Sequence, residues 1–212
     1  NLFEAVRLAN LFKAELIGVH VGEQSKEKTE KLNQILQEAD VLETNLKTIW
    51  QKGKPVDVIL ETCKNQQIDL LILGALQQEK LYNYYVGSIA RKITRKAPCS
   101  ILLLIKPSIV RVACKHIVVN GLEDKKTEET IKTAFIVSDY LNCKKITIVE
   151  EIKQEDIQIS VNDDISLRRA NIARERIATR EDRRVKKILN EIDCAHLSVK
   201  TQSIFGKRGY SI

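Results

Sequence analysis

IDLLILGALQQEKLYNYYVGSIARKITRKAPCSILLL, residues 68–104, is the stretch that decides the fold. Its opening, IDLLILGA (68–75), is a nearly unbroken apolar run closed by Gly74. Such a run marks a parallel strand covered on both faces. A polar, tyrosine-bearing loop follows. Gly87 and Ser88 then open a basic helix, and Pro98 leads into a second apolar strand, SILLLI (100–105). Strand, loop, helix and strand in that order make a crossover unit of a parallel sheet. Two readings of Gly87-Ser88 stay open. Serine is a preferred helix N-cap, and glycine permits the turn before it. The same pair offers free N–H groups, a hydroxyl and the positive end of a helix dipole to a phosphate. Gly74 would let a phosphate or ribose approach the backbone at the carboxyl end of its strand, where open α/β sheets bind ligands.

The alternation continues on either side. NLFEAVRLANLFKAE (1–15) sets Ala5, Leu8, Ala9 and Phe12 at helical spacing, and LIGVHV (16–21) reads as a strand. A helix with Leu32, Ile35 and Leu36 on one face precedes the short strand LKTIWQ (46–51). Gly53-Lys54-Pro55 turns the chain into the helix VDVILETCKNQQ, with Pro55 suited to its first turn. A linker, Pro107 to Val112, follows the last strand. The pattern then restarts with the strand KHIVV (115–119), a helix with Ile131, Ala134, Phe135, Ser138 and Leu141 along one side, and the strand KKITIVEEI. LANLFKAELIGVHV thus reappears as IVSDYLNCKKITIVEE, and NLKTIWQKGKPVDVI as SVKTQSIFGKRGYSI. A repeat of this length implies tandem domains rather than a solenoid. The expected architecture is α/β: two tandem doubly wound, Rossmann-like parallel-sheet domains. The first spans 1–107 without an opening strand. The second spans 113–212 without its final strand-helix-strand.

The second copy carries an insert, about 163–192, in which nine of residues 168–187 are Arg or Lys and three are acidic. Ile165, Ile172, Ala173, Val185, Ile188, Leu189 and Ile192 could form its apolar stripe. A long amphipathic helix with a solvated basic face is one reading. An acidic partner or an anionic membrane surface is the other.

Bulk composition narrows the chemistry. The chain has 212 residues, 43% hydrophobic and 30% charged, enough to bury cores. No apolar run approaches the ~20 residues of a membrane span, so a soluble, cytoplasmic protein is expected. The net charge of +7 suits acidic partners, but aromatics are sparse and no nucleic-acid motif is present. Five cysteines, Cys63, Cys99, Cys114, Cys143 and Cys194, form no C-x-x-C pair and read as buried free thiols. The three histidines are far apart, so no metal site and no catalytic Cys-His pair is expected. A chain with no methionine, opening in mid-helix and closing at GYSI, is expected to be part of a longer protein.

The spacing around Gly74 resembles that of the universal stress proteins. Their nucleotide-binding forms carry Gly, two residues, Gly, nine residues, then Gly-Ser or Gly-Thr. Here the frame runs Gly74, two residues, Gln77, nine residues, Gly87-Ser88, with glutamine in place of the middle glycine. GKPVDVILETCKNQQIDLLILG and GSIARKITRKAPCSILLL also resemble the family's flanking segments. The likeness covers residues 1–105 closely, and residues 113–212 by order of elements.

The resemblance implies a five-stranded parallel sheet and a regulatory or stress-response role. The residues themselves offer no general acid-base pair, metal cluster or activated nucleophile, so no enzyme is expected. In the family many members bind ATP or AMP, and others bind no nucleotide. Gly74 and Gly87-Ser88 would touch ribose and phosphates, with Ala75, Gln77 and Ile89 beside them, and the backbone at Val19 would hold the adenine. In the second copy Asn120 or Gly121 falls roughly at the position where the family usually has an aspartate, and Asn120 could still hydrogen-bond but carries no charge. The strand 100–105 would pair domains within the chain or between copies, with no specific nucleic-acid partner. The competing reading is a partner-binding module without nucleotide, such as a cytosolic domain linked to a membrane transporter. A ligase or electron-transfer relative would need a Ser-Gly-Gly-x-Ser loop, which the sequence lacks.

Overall fold

The computed structural model describes residues 1–38, 46–74, 88–105, 108–110, 112–153 and 162–206. The chain divides into two compact units, Asn1–Arg111 and Val112–Ile212.

Unit 1 alternates helix and strand: α1 (Leu2–Phe12), β1 (Leu16–Val21), α2 (Lys26–Glu38), β2 (Leu46–Gln51), α3 (Pro55–Asn65), β3 (Leu70–Gly74), α4 (Ser88–Lys96) and β4 (Ser100–Leu104). Local chemistry sets the boundaries. Lys13 takes a left-handed conformation (φ 52°) after α1, and the Ala14 N–H returns to the Ala9 carbonyl at 2.8 Å, closing the helix end. Gly53 has φ 145°, and a Cβ there would lie 2.8 Å from Val58 Cγ2, so the turn into α3 needs glycine. Pro55 occupies the first turn of α3, where a missing N–H is harmless.

β1 runs parallel to β2, with Leu16 opposite Leu46, and β3 parallel to β4, with Leu70 opposite Ser100. Among the described residues these are two separate two-stranded sheets. Every strand of unit 1 is therefore an edge. This is why β3 is only half-buried, with Leu70 38% exposed, although its sequence reads as a strand covered on both faces. The core comes mainly from the helices: Val6, Leu8 and Ala9 of α1, Val58 and Cys63 of α3, and Ile93 of α4.

Unit 2 contains β5 (Ile117–Asn120), α5 (Thr127–Tyr140), β6 (Lys145–Lys153), α6 (Asp164–Leu189) and β7 (Ser198–Gly206). Its sheet has the order β5-β6-β7, all parallel, with Ile117 opposite Ile146 and Ile146 opposite Val199. Val119, Ile131, Phe135, Ile146, Ile148 and Val185 form its buried cluster. Each such side chain contributes about 1.5–3 kcal/mol when fully removed from water. The α1–β1 junction is repeated at α5–β6. Asn142 is left-handed (φ 51°), and the Cys143 N–H returns to the Ser138 carbonyl at 2.8 Å.

The insert is one continuous helix. Its start is fixed by a capping box: Asp163 Oδ1 accepts from the Ser166 N–H at 2.7 Å, and Ser166 Oγ accepts from the Asp163 N–H at 3.0 Å. Its packed face differs from the expected stripe. Ala170, Glu181 and Val185 are buried, whereas Ile165 is 64% and Ile172 49% exposed. Val185 lies thirteen residues beyond Ile172, which at ~100° per residue puts the two on opposite sides of the helix. Packing against β5–β7 selects the Val185 side. Among the described residues, no helix is long and apolar enough to cross a membrane.

Candidate functional site

The carboxyl ends of the parallel strands collect the polar features of both units. In unit 1, Val19 lies within β1 opposite Ile49, and Gly74 is the last residue of β3, opposite Leu104. A Cβ at Gly74 would meet the Asn1 side chain, 2.2 Å from its Nδ2. The start of α1 therefore faces the end of β3, and Asn1 joins the site although the sequence gives no hint of it. Ser88 begins α4, and Ile89, in its first turn, is 47% exposed. Ala75, Gln77 and Gly87 lie outside the described residues, as does the loop between Gly74 and Ser88. At the end of β1, Gly22 (φ 141°) donates to the Gln51 carbonyl at 2.9 Å, and the His20 and Trp50 rings meet at 4.5 Å.

The corresponding end of unit 2 is built differently. Asn120 ends β5, but its Oδ1 accepts the Leu122 N–H at 3.0 Å, so the side chain serves its own turn. The next N–H, from Gly121, donates to the Val149 carbonyl at 2.7 Å. A Cβ on Gly121 would lie 2.7 Å from Ile148 Cγ2, so only glycine fits there. Helix α6 lays charge over this end. Arg184 donates to the Gly121 carbonyl. Glu181 accepts from Arg180 at 2.8 Å and from Arg184 at 3.0 Å.

Glu150 is fully buried beneath these groups. One of its oxygens accepts from the Ser203 hydroxyl at 3.1 Å, and Oε1 has no hydrogen-bond partner among the described residues. Burial pushes its carboxyl above the ordinary range, and nearby Glu181 adds to the rise against the Ser203 bond. Burial acts on Glu181 in the same direction, but the hydrogen bonds from Arg180 and Arg184 bring that carboxyl below its ordinary value. A cavity of about 80 Å³ opens between Leu122, Glu150, Ile177, Arg180 and Glu181. Sequence reading placed no functional residue here except Asn120 or Gly121. The available signal was the pair Glu150-Glu151 closing an apolar strand.

The two units thus offer different chemistry. Unit 1 has an exposed strand end with a glycine and the start of α1 against it, a setting for an anion approached by backbone N–H groups. Unit 2 has a small cavity dominated by carboxylates, with its nearby guanidinium groups already paired. Among the described residues, no group of three or more acidic, cysteine or histidine side chains is placed to hold a metal.

Comparison with known proteins agrees with this architecture. Residues 2–104 match the universal stress protein family. Universal stress protein MJ0531 of Methanocaldococcus jannaschii is 27% identical over 93 residues, which are 44% of this chain and 53% of that protein. The chain therefore spans about half the length of this curated relative. Two solved structures share the fold across nearly the whole chain. A universal stress protein from Archaeoglobus fulgidus aligns with a TM-score of 0.66 and 14% identity, covering 97% of this chain and 73% of that one. A putative universal stress protein from Pseudomonas aeruginosa aligns with a TM-score of 0.55 and 14% identity, covering 94% and 68%. Helix-strand order, parallel register and the matched residues agree: unit 1 is similar to the universal stress protein family, and the fold of the whole chain is that of solved universal stress protein structures.

Proposed function

We propose that this chain is a tandem universal stress protein of the cytoplasm, with a regulatory rather than an enzymatic role, that takes an adenine nucleotide in unit 1. One observation carries the reading: Gly74, at the carboxyl end of β3, lies against the start of α1 in the same unit in which Ser88 starts α4. Phosphates would rest against the N–H groups after Gly87 and at the start of α4, with Gly74 leaving room for the ribose. The backbone at Val19 would hold the base. Catalysis is not part of the proposal, because no nucleophile with an adjacent base faces this strand end among the described residues.

Gln77 favours a second reading, a partner-binding module without nucleotide. Its side chain stands where the family's frame has glycine, and its backbone is less permissive. In either case the apolar strand β4 would serve as a pairing edge, since an uncovered edge of this kind invites another strand.

Calorimetric titration of the purified chain with ATP and AMP separates the two. Micromolar binding that disappears in Gly87→Asp, with the thermal midpoint unchanged, supports nucleotide binding. No heat of binding from the full chain overturns it and leaves the partner-binding reading.

A further inference from the structure

The sequence keeps the cysteines apart, but the fold brings four of them into two pairs, one within each unit. In unit 2, Cys114 stands three residues before Ile117 and Cys143 three before Ile146, and Ile117 and Ile146 are register partners across β5–β6. The two cysteines therefore reach the same level at the amino ends of adjacent parallel strands. Their thiols are held alike: Cys114 Sγ donates to the His116 carbonyl at 3.8 Å and Cys143 Sγ to the Lys145 carbonyl at 3.6 Å. They are close enough that Cys143 contributes to the raised thiol of Cys114. In unit 1, Cys63 lies in the last turn of α3 and Cys99 just before β4. The Ile68 N–H donates to the Cys63 carbonyl at 3.0 Å, and the Ser100 N–H to the Asp69 carbonyl at 3.1 Å. These bonds draw both cysteines to the amino end of the β3–β4 pair, close enough for Cys99 to raise the Cys63 thiol. All four are free thiols, and each pair joins a buried member, Cys63 or Cys143, to a half-buried one, Cys99 or Cys114.

Neighbouring strands lie about 4.8 Å apart, so Cys114 and Cys143, each three residues before a register partner, approach the roughly 4.4–6.8 Å between Cα atoms that a disulfide spans. Cys63 and Cys99 meet where the end of α3 returns to the start of the β3–β4 pair. We propose that Cys63–Cys99 and Cys114–Cys143 are dithiol sites that close reversibly to disulfides by exchange with a small disulfide such as oxidised glutathione. The half-buried thiol loses its proton and attacks one glutathione sulfur. That S–S bond breaks, and the departing glutathione thiolate takes up a proton. The buried thiol, deprotonated in turn, attacks the mixed disulfide and expels the second glutathione. Two protein thiols are oxidised and one glutathione disulfide is reduced to two thiols. Burial, together with the neighbouring Cys99, pushes the Cys63 thiol up to about 11; burial and Cys143 raise that of Cys114. Exchange therefore speeds up as pH rises beyond the ordinary thiol range.

The test is to incubate the full chain with oxidised glutathione, alkylate the remaining thiols and map the peptides by mass. The expected products are a Cys63–Cys99 bridge and a Cys114–Cys143 bridge, both reversed by dithiothreitol and both absent when the reaction is run in urea-unfolded chain at the same time point. Cys63→Ser and Cys143→Ser should leave glutathione stably attached to Cys99 and Cys114. If a serine variant does not fold, the map of the unsubstituted protein decides alone. Stable glutathione adducts in place of bridges, bridges to Cys194 or between the units, or unreacted thiols overturn the proposal. Each pair is judged separately, and one not recovered bridged is not a dithiol site.

Discussion

Glu150 is the residue at which burial and charge conflict most openly. It lies in β6 among Ile148, Val149 and Ile152, and its side chain is fully buried with one oxygen bonded to Ser203. Its carboxyl is raised in the folded chain, chiefly by burial. A carboxyl raised on folding binds its proton more tightly in the native state. Its stabilising effect is then complete below the unfolded value and is lost as pH climbs through the folded one. Glu181 works in the opposite sense, because its lowered carboxyl favours the fold above the unfolded value and loses that effect as pH falls. The difference between the parent and Glu150→Gln isolates the first effect. Glutamine keeps the shape and the Ser203 bond without a charge to bury. Urea denaturation followed between about pH 4 and pH 8, on either side of the ordinary carboxyl range, should show the variant gaining stability over the parent as pH rises. A difference independent of pH would mean that Glu150 ionises in the fold as freely as in the unfolded chain.

At the scale of the element, α6 shows both the reach and the limit of sequence reading. Its existence, charge and approximate ends were legible, because a long charged run without Gly or Pro carries apolar residues at helical spacing. The capping box of Asp163 and Ser166 that fixes its start is seen in the structure. Its rotation was not. Ile165 and Ile172, seven residues apart, form as convincing a line as Val185 with Ile188 and Leu189, and periodicity alone does not choose between lines on opposite sides of a helix. The choice came from β5–β7, against which Val185, Ile188 and Leu189 pack, while small Ala170 continues the buried line toward the helix start. Because the outer line is exposed and the start is held by its cap, the first turn should depend on Asp163 itself. Hydrogen exchange should show the amides of Ser166 and Leu167 exchanging faster in Asp163→Ala, and close to parent rates in Asp163→Asn, whose side chain still accepts the bond. Equal exchange in all three would show that tertiary packing, not the cap, holds the helix start.

Across the whole molecule, the order of helices and strands and the internal repeat were readable because they rest on local patterns: apolar runs of strand length, helical spacing, and turn residues such as Gly53 and Pro55. Contacts remote in sequence left no such trace. Asn1 against Gly74, Arg184 on the Gly121 carbonyl and the two cysteine pairs all depend on which strand lies beside which. The repeat also concealed a divergence in charge. Unit 1 presents Gly74, the amide of Asn1 and the start of α1 at the end of β3, whereas unit 2 presents Glu150 and Glu181 beneath arginines already engaged with Glu181 and Gly121. With Arg180 and Arg184 so engaged, a nucleotide phosphate in the unit 2 position would have to displace those pairings and lie beside two carboxyl groups. If the chain binds AMP, saturation should therefore come at one nucleotide per chain, and Glu181→Gln should leave affinity unchanged, whereas Gly87→Asp removes it. Equilibrium dialysis with labelled AMP reads both quantities. Two nucleotides bound per chain, or loss of binding in Glu181→Gln with the thermal midpoint retained, would place a working site in unit 2 and refute this division between the repeats.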